Sequence, residues 1–152
     1  MKLYLLRHAQ PKPESEDPQK SLSAEGISQM KKISTILGHS NGLTVESIYH
    51  SPKTRARQTA ELIAKIIRSK NGIMETDGLT PHDDPGIWAK RIGKMRDDII
   101  LTGHLPHLGR LTALLLTERS EREIVDFHPA TLVCLARSGN NWSLEWVINP
   151  NL

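Results

Sequence analysis

The stretch that most constrains this chain is its beginning. Leu3, Tyr4, Leu5 and Leu6 form a short apolar run that stops abruptly at Arg7 and His8. The run is too short for a helix and shows no helical stripe. It reads as a strand buried on both faces, the kind found at the centre of a parallel sheet. Ligands of open α/β sheets sit at the carboxyl ends of strands. Arg7 and His8 stand there, an always-charged planar donor beside a titratable nucleophile, which suits phosphate chemistry. A snorkelling arginine next to a surface histidine would look the same, so the decision falls to the rest of the chain.

The same strand-then-payload pattern recurs twice. A strand over 45–49 is followed by Ser51-Pro52, which reads as an N-cap and first helical residue, with the helix running to Asn71-Gly72. Arg55 then falls in the first helical turn, where backbone N–H groups and the dipole favour an anion. Arg57 points to another face, since i and i+2 are about 200° apart on a helix, and with Lys53 is assigned to the solvated face or rim. Later, Ile99-Ile100-Leu101-Thr102-Gly103-His104 is another short buried strand ending at a histidine, and Leu105-Pro106 opens a helix through Leu108, Leu111 and Leu115.

The remaining segments fill in an α/β chain. Residues 10–20, with Pro11, Pro13 and Pro18 among many charges, form a loop that leaves the first strand end and lines or covers it. Ser23 caps a helix over 24–37 with Ile27, Met30, Ile33 and Leu37 as its apolar stripe, ended by Gly38. Residues 73–79 hold a short edge strand, 80–86 a loop, and 87–95 a short helix anchored by Ile87, Ile92 and Met95. Strands over 131–136 and 142–148, joined through Gly139-Asn140, make a terminal hairpin. Trp142 and Trp146, four apart, are expected on one face of the last strand. The expected architecture is a single domain over residues 1–152, a three-layer α/β/α fold with a mostly parallel central sheet and a C-terminal antiparallel hairpin.

Composition narrows the class. The chain has 152 residues, 38% hydrophobic but only 4% aromatic, so aliphatic side chains must build the core. A net charge of +3 without a dense basic run argues against nucleic acid and suits a basic cleft for an anionic ligand. No apolar stretch reaches spanning length and the N-terminus lacks a signal-peptide pattern, so no membrane association is expected. The lone Cys134 lies in an apolar strand and reads as a packed residue of a reducing, cytoplasmic compartment.

If the first, second and fourth strands lie side by side, Arg7, His8, Arg55 and His104 converge with two helix N-termini on one pocket, and an oxyanion ligand is the reason to gather them. On Leu5-Leu6-Arg7-His8-Ala9, Leu22-Ser23-Ala24-Glu25-Gly26, the run 51–59 from Ser51-Pro52 through Arg55 to Thr59, Leu79-Thr80-Pro81 and Thr102-Gly103-His104-Leu105-Pro106, the chain resembles the histidine phosphatase (phosphoglycerate-mutase-like) superfamily. Within it the likeness is to the small SixA-type phosphohistidine phosphatases. These segments span most of the chain in the family's order.

The resemblance implies a metal-independent phosphatase without a cofactor. His8 would accept the phosphoryl group, and Arg7, Arg55, His104 and the Leu105 backbone N–H would hold the phosphate oxygens. The implied partner is a phosphohistidine-bearing protein or a small phosphorylated substrate, and the implied state a monomer. Two departures stand out. Ala9 replaces a glycine of the broad family, which matters if that position needs positive φ. No obvious general acid is present: Asp83 and Asp84 are the candidates, and capping of the next helix competes for them.

A missing acid and an open pocket both favour a phosphohistidine or acyl phosphate, whose leaving group is less basic than an alkoxide. The rivals are a small-molecule phosphomonoesterase, a non-catalytic phosphate-binding module, and a metal site built on His104 and His107. Against the last stands the lack of any His-Glu-x-x-His run or cysteine pair. His107 is expected to line the pocket or face solvent, His39, His50 and His128 to be ordinary surface or partly buried histidines, and Gln10 and Ser21 to reach towards the pocket.

Overall fold

The computed structural model describes residues 1–39 and 42–152. Strand β1 (Lys2–Arg7) is the one that the opening stretch foretells: Leu3 to Leu6 are buried on both sides. It pairs in parallel with β6 (Ile99–Gly103) and antiparallel with β7 (Leu132–Ser138). With β3 (Ser47–His50), β5 (Ile73–Glu75) and β8 (Asn141–Ile148), the sheet runs in the order β5-β3-β6-β1-β7-β8. Its first four strands are parallel, and the β7-β8 hairpin closes the other edge.

Alternation along β1 divides the core into two layers. Tyr4 and Leu6 face Met30, Ile33 and Leu37 of α1 (Ala24–Gly38) and Ala60 and Ile63 of α2 (Thr54–Ile63). Leu3 and Leu5 face Trp88 and Ile92 of α3 (Pro85–Gly93) and Leu108 and Leu111 of α4 (His107–Thr117). The sheet with helices on both faces is the expected three-layer α/β/α arrangement.

Several local expectations are corrected. Ile27 and Ile87 sit outside the core, 38% exposed each, and α3 anchors instead through Trp88, whose indole N–H donates to the Asp77 carbonyl. The second strand is split in two: β2 (Thr44–Val45) pairs with β4 (Arg68–Ser69), and β3 joins the main sheet. Helix α2 stops at Ile63 rather than reaching Asn71, because Ile67 turns into the core and the next two residues enter that ladder. Propensity yields here to tertiary pairing. Ser51 does not cap α2; Lys53 occupies the N-cap position without a side-chain bond.

Trp142 and Trp146 lie on opposite faces of the sheet. A bulge leaves Glu145 unpaired between Trp146, opposite Cys134, and Leu144, opposite Leu135. The extra residue inverts the alternation. Trp146 packs near Tyr4 with ring centroids 5.9 Å apart, and Trp142 lies under Arg137 on the α3/α4 side. Cys134 is fully buried, as expected of a packed strand residue.

Segment 10–22 is tied to the core at several points. Pro11 and Leu22 form an antiparallel bridge, Gln10 N–H donates to the buried Gln29 side chain, and Leu22 N–H donates to Gln58. Ser23 caps α1, accepting from Gly26 N–H at 3.1 Å, while its own hydroxyl donates to the Gln10 carbonyl. Gly26 lies so close that a Cβ there would stand 2.3 Å from the Gln10 carbonyl oxygen. A Gly26→Ala substitution is expected to lower stability by about 1–3 kcal/mol through overpacking, read as a lower urea midpoint with an unchanged m-value.

Candidate active site

Three strand ends meet at one level. Arg7 is in register with Gly103, and His50 with Thr102. The ladder continues past the strands: His8 N–H donates to the Gly103 carbonyl at 3.0 Å and Ser51 N–H to the Thr102 carbonyl at 3.1 Å. His8, Ser51 and His104 are therefore placed by backbone pairing in the sheet. The His8 and His104 rings end up with centroids 5.0 Å apart, 7% and 1% exposed respectively.

His8 has a defined tautomer. Its Nδ1 lies 2.8 Å from the Ala9 carbonyl, which can only accept, so Nδ1 carries the proton and Nε2 holds the free lone pair. Burial pushes the His8 pKa down to about 4; Arg55, Arg7 and Lys20 add to that, against the Ala9 carbonyl, which favours the charged ring. His8 is a neutral imidazole at physiological pH.

Ala9 is fully buried and lies outside the left-handed region, so its Cβ meets no backbone strain where the broad family has glycine. Its N–H donates to Thr59 Oγ1 at 3.0 Å, and the Thr59 hydroxyl donates to the Arg55 carbonyl at 2.7 Å. One threonine thus sets the turn after β1 against the first turn of α2, which carries Arg55.

Arg7 is anchored by a 2.7 Å bond to the Phe127 carbonyl, with its buried Nε unpartnered. Burial weakens its hold on the proton, and Asp126 and Glu123 oppose this from a distance. Arg55 is half-buried and shifted the same way by burial. Among the described residues neither guanidinium has a salt-bridge partner, whereas Arg57 pairs with Glu61 on the outer face of α2. Two half-buried cations without ion-pair partners among the described residues, beside two neutral imidazoles, make a site suited to an anion.

His104 is held by Ser51, whose Oγ stands 2.7 Å from Nε2. Burial, then His8, Arg55, Lys53 and His107, drive its pKa to about 2. The Ser51 hydroxyl also accepts from Lys53 N–H at 3.2 Å. Reading Ser51-Pro52 as a helix start missed this role, because a capping serine and a ring-holding serine have the same sequence signature. Thr59 was also missed; its i+4 spacing from Arg55 was the available signal.

Other candidates lie elsewhere. Asp84 caps α3, accepting from Gly86 N–H, and Asp83 accepts from Thr80 N–H at 2.8 Å. The Thr80 bonds keep Asp83 below the usual carboxylate range, so it is an anion near neutral pH and poorly suited to donate a proton. His107 is fully buried, neither lining the cleft nor facing solvent, with both ring nitrogens unpartnered. Its pKa is about 4, lowered by burial. Among the described residues no cluster of three or more potential ligands joins His104 and His107. His50 is buried rather than superficial, and its Nδ1 donates to the Ser51 carbonyl. Gln10 lines a different cavity, between the 10–20 segment and the start of α1, that none of Arg7, His8, Arg55 and His104 lines, and Ser21 turns its hydroxyl to Asp17. Leu105, half-buried, follows His104 directly.

A family model for the histidine phosphatase superfamily (branch 1) matches residues 3–80. An uncharacterized protein of Picosynechococcus sp. is 34% identical over 116 residues, covering 72% of this chain and 69% of that protein. Among solved structures, the fold matches the protein histidine phosphatase SixA complexed with tungstate, at TM-score 0.82 and 20% identity over 99% of this chain and 98% of that one. It also matches the alpha-ribazole phosphatase from Shigella flexneri (TM-score 0.75, 16% identity, 99% and 97% covered). A third match is a phosphoserine phosphatase mutant from Entamoeba histolytica in complex with phosphoserine (0.71, 14%, 98% and 97%).

His8, His104 and His107 are all neutral in the fold, whereas an unfolded chain protonates them below about pH 6.5. Their contribution to stability is complete above that pH and is lost as pH falls towards about 4 for His8 and His107 and towards about 2 for His104. Tm is expected to drop over that window, with a shallower slope in a His107→Leu variant; identical slopes would contradict a neutral buried His107.

Proposed function

The chain belongs to the histidine phosphatase superfamily (branch 1) and is a phosphatase of that family; on this footing we propose that it removes phosphate from phosphohistidine in a protein substrate, without a metal, through a phosphohistidine intermediate on His8. The observation that carries this reading is the neutral His8 ring, its Nε2 lone pair free and its Nδ1–H fixed on Ala9, beside two guanidiniums without counter-ions.

Nε2 of His8 attacks phosphorus while the bond from phosphorus to the leaving imidazole breaks. Arg7, Arg55, His104 and the Leu105 backbone N–H take the phosphate oxygens. Because phosphoryl transfer asks little covalent work of the protein, this positioning and charge supply most of the rate. Phosphorylation at Nε2 leaves the His8 ring cationic with its proton still on Nδ1, and the Ala9 carbonyl stabilises that charge. Water then attacks phosphorus, the P–Nε2 bond breaks with its electrons returning to Nε2, and dihydrogen phosphate leaves. It releases a further proton to solvent at neutral pH.

Substrate choice follows from acid strength. Asp83 and Asp84 are both committed to the 80–86 turn, so little help is available to protonate an alkoxide. A phosphohistidine ring that carries a proton on its other nitrogen leaves as a neutral imidazole without such help. A small-molecule phosphomonoesterase remains the second reading, favoured by the fold shared with alpha-ribazole and phosphoserine phosphatases.

The test is phosphate release from a phosphohistidine-bearing protein and from a sugar phosphate, with chelator present. The protein is expected to be preferred, His8→Ala to lower turnover at least about 10³-fold, and Arg55→Ala about 10²–10³-fold. Turnover of the sugar phosphate alone would move the chain to the small-molecule reading. The acid limb of kcat/KM, corrected for substrate ionisation, is expected near the His8 value of about 4, with activity lost on protonation. A limb well above neutral pH would contradict His8 as nucleophile.

A further inference from the structure

Lys20 and Lys53 have no part in the chemistry described above, yet both face it. Lys20 is half-buried and adopts φ +52°, a left-handed conformation that few side chains take without support. The support is Asp17. Its carboxylate accepts from Gln19 N–H at 3.0 Å and from Ser21 N–H at 3.1 Å, and it also accepts the Ser21 hydroxyl. Its carbonyl accepts from Lys20 N–H at 2.9 Å, and Lys12 N–H pins the far side by donating to the Ser21 carbonyl at 2.7 Å. This much hydrogen bonding holds one lysine at a fixed place in an otherwise exposed loop.

That place faces the site. The Lys20 ammonium lies close enough to His8 to depress its pKa, and Lys53, just ahead of α2, does the same to His104. Between them opens a cavity of about 410 Å³ lined by Lys20, Lys53, Thr54 and Arg55 on one hand and Glu14 and Pro18 on the other. Its three cations outnumber its one carboxylate. Among the described residues neither Lys20 nor Lys53 has a salt-bridge partner, although Lys2 and Lys70 elsewhere on the surface do.

Resting on the phosphohistidine reading, we propose that Lys20 and Lys53 form a subsite for carboxylates flanking the phosphorylated residue, so that the preferred substrate is a phosphoprotein segment rich in Asp or Glu. Arg55 sits at the boundary, serving the phosphate on one side and closing the subsite on the other. The 10–20 segment forms one wall of the cavity and the start of α2 the other. Charge complementarity of this kind adds affinity at partly exposed positions by modest, salt-sensitive amounts.

The experiment uses two phosphohistidine peptides of equal length, one with Asp and Glu beside the phosphohistidine and one with Asn and Gln. Phosphate release is followed for wild type, Lys20→Gln, Lys53→Gln and, as a charge control on α3, Lys90→Gln. The acidic peptide is expected to have the higher kcat/KM, with the advantage shrinking at high salt. Each of the two site substitutions is expected to cost about two- to fivefold more on the acidic peptide than on the neutral one, mainly through KM. Lys90→Gln is expected to leave the ratio unchanged. Equal kcat/KM for both peptides, or a preference that survives both site substitutions, overturns the subsite while leaving the phosphohistidine reading in place. Turnover of neither peptide by wild type overturns both.

Discussion

The register of three parallel strands is the constraint on which the site depends. Pairing Arg7 with Gly103 and His50 with Thr102 brings the ends of β1, β6 and β3 to one level. The next residue in each strand, His8, His104 or Ser51, then falls within reach of the others. A slip of one residue in either ladder would turn these side chains to opposite faces and separate the imidazoles. The register is secured by burial: Leu3 to Leu6 and Ile99 to Leu101 have no water-facing side, so alternative pairings would leave apolar groups mismatched in both core layers.

Onto that frame the chain places two guanidiniums that form no ion pair among the described residues, Asp126 and Glu123 acting on Arg7 only from a distance. Arg7 is held by a carbonyl, not a carboxylate, and Arg55 by its position on α2. Keeping such groups half out of water costs free energy, which an anion bound between them would recover. The same surroundings keep His8 and His104 neutral. One field therefore does two things: it favours an anion and keeps the Nε2 lone pair of His8 available. Ser51, Thr59 and the Ala9 carbonyl add orientation without adding charge.

Much of this is legible in the sequence. Short apolar runs ending in Arg7-His8 and Gly103-His104 announce buried strands and their payload because burial on both faces demands continuous hydrophobicity. Arg55 is legible because a helix follows the strand end closely enough to put it in the first turn, although the start lies two residues beyond the Ser51-Pro52 signal. The misreadings share a different cause. The sequence implies too long an α2 because nothing local in 64–67 breaks a helix; pairing of β4 with β2 ends it. Trp142 and Trp146 were placed on one face because a bulge at Glu145 has no signature in alternating polarity. His107 was put near water because a histidine's burial depends on what packs over it.

The sequence alone therefore determined the class of fold, the central strand and the four residues that meet at the site, since these follow from local hydrophobicity and from turn and helix-start chemistry. Only the tertiary structure decided which atoms face each other. The tautomer of His8, the bond from Ser51 to His104, the Thr59 link between Ala9 and Arg55, and the left-handed Lys20 held by Asp17 all join segments distant in the chain or fix a torsion that several local sequences would allow. Hydrogen-bond geometry is set by distances between elements, and those exist only once the sheet is paired and both helical layers are packed against it.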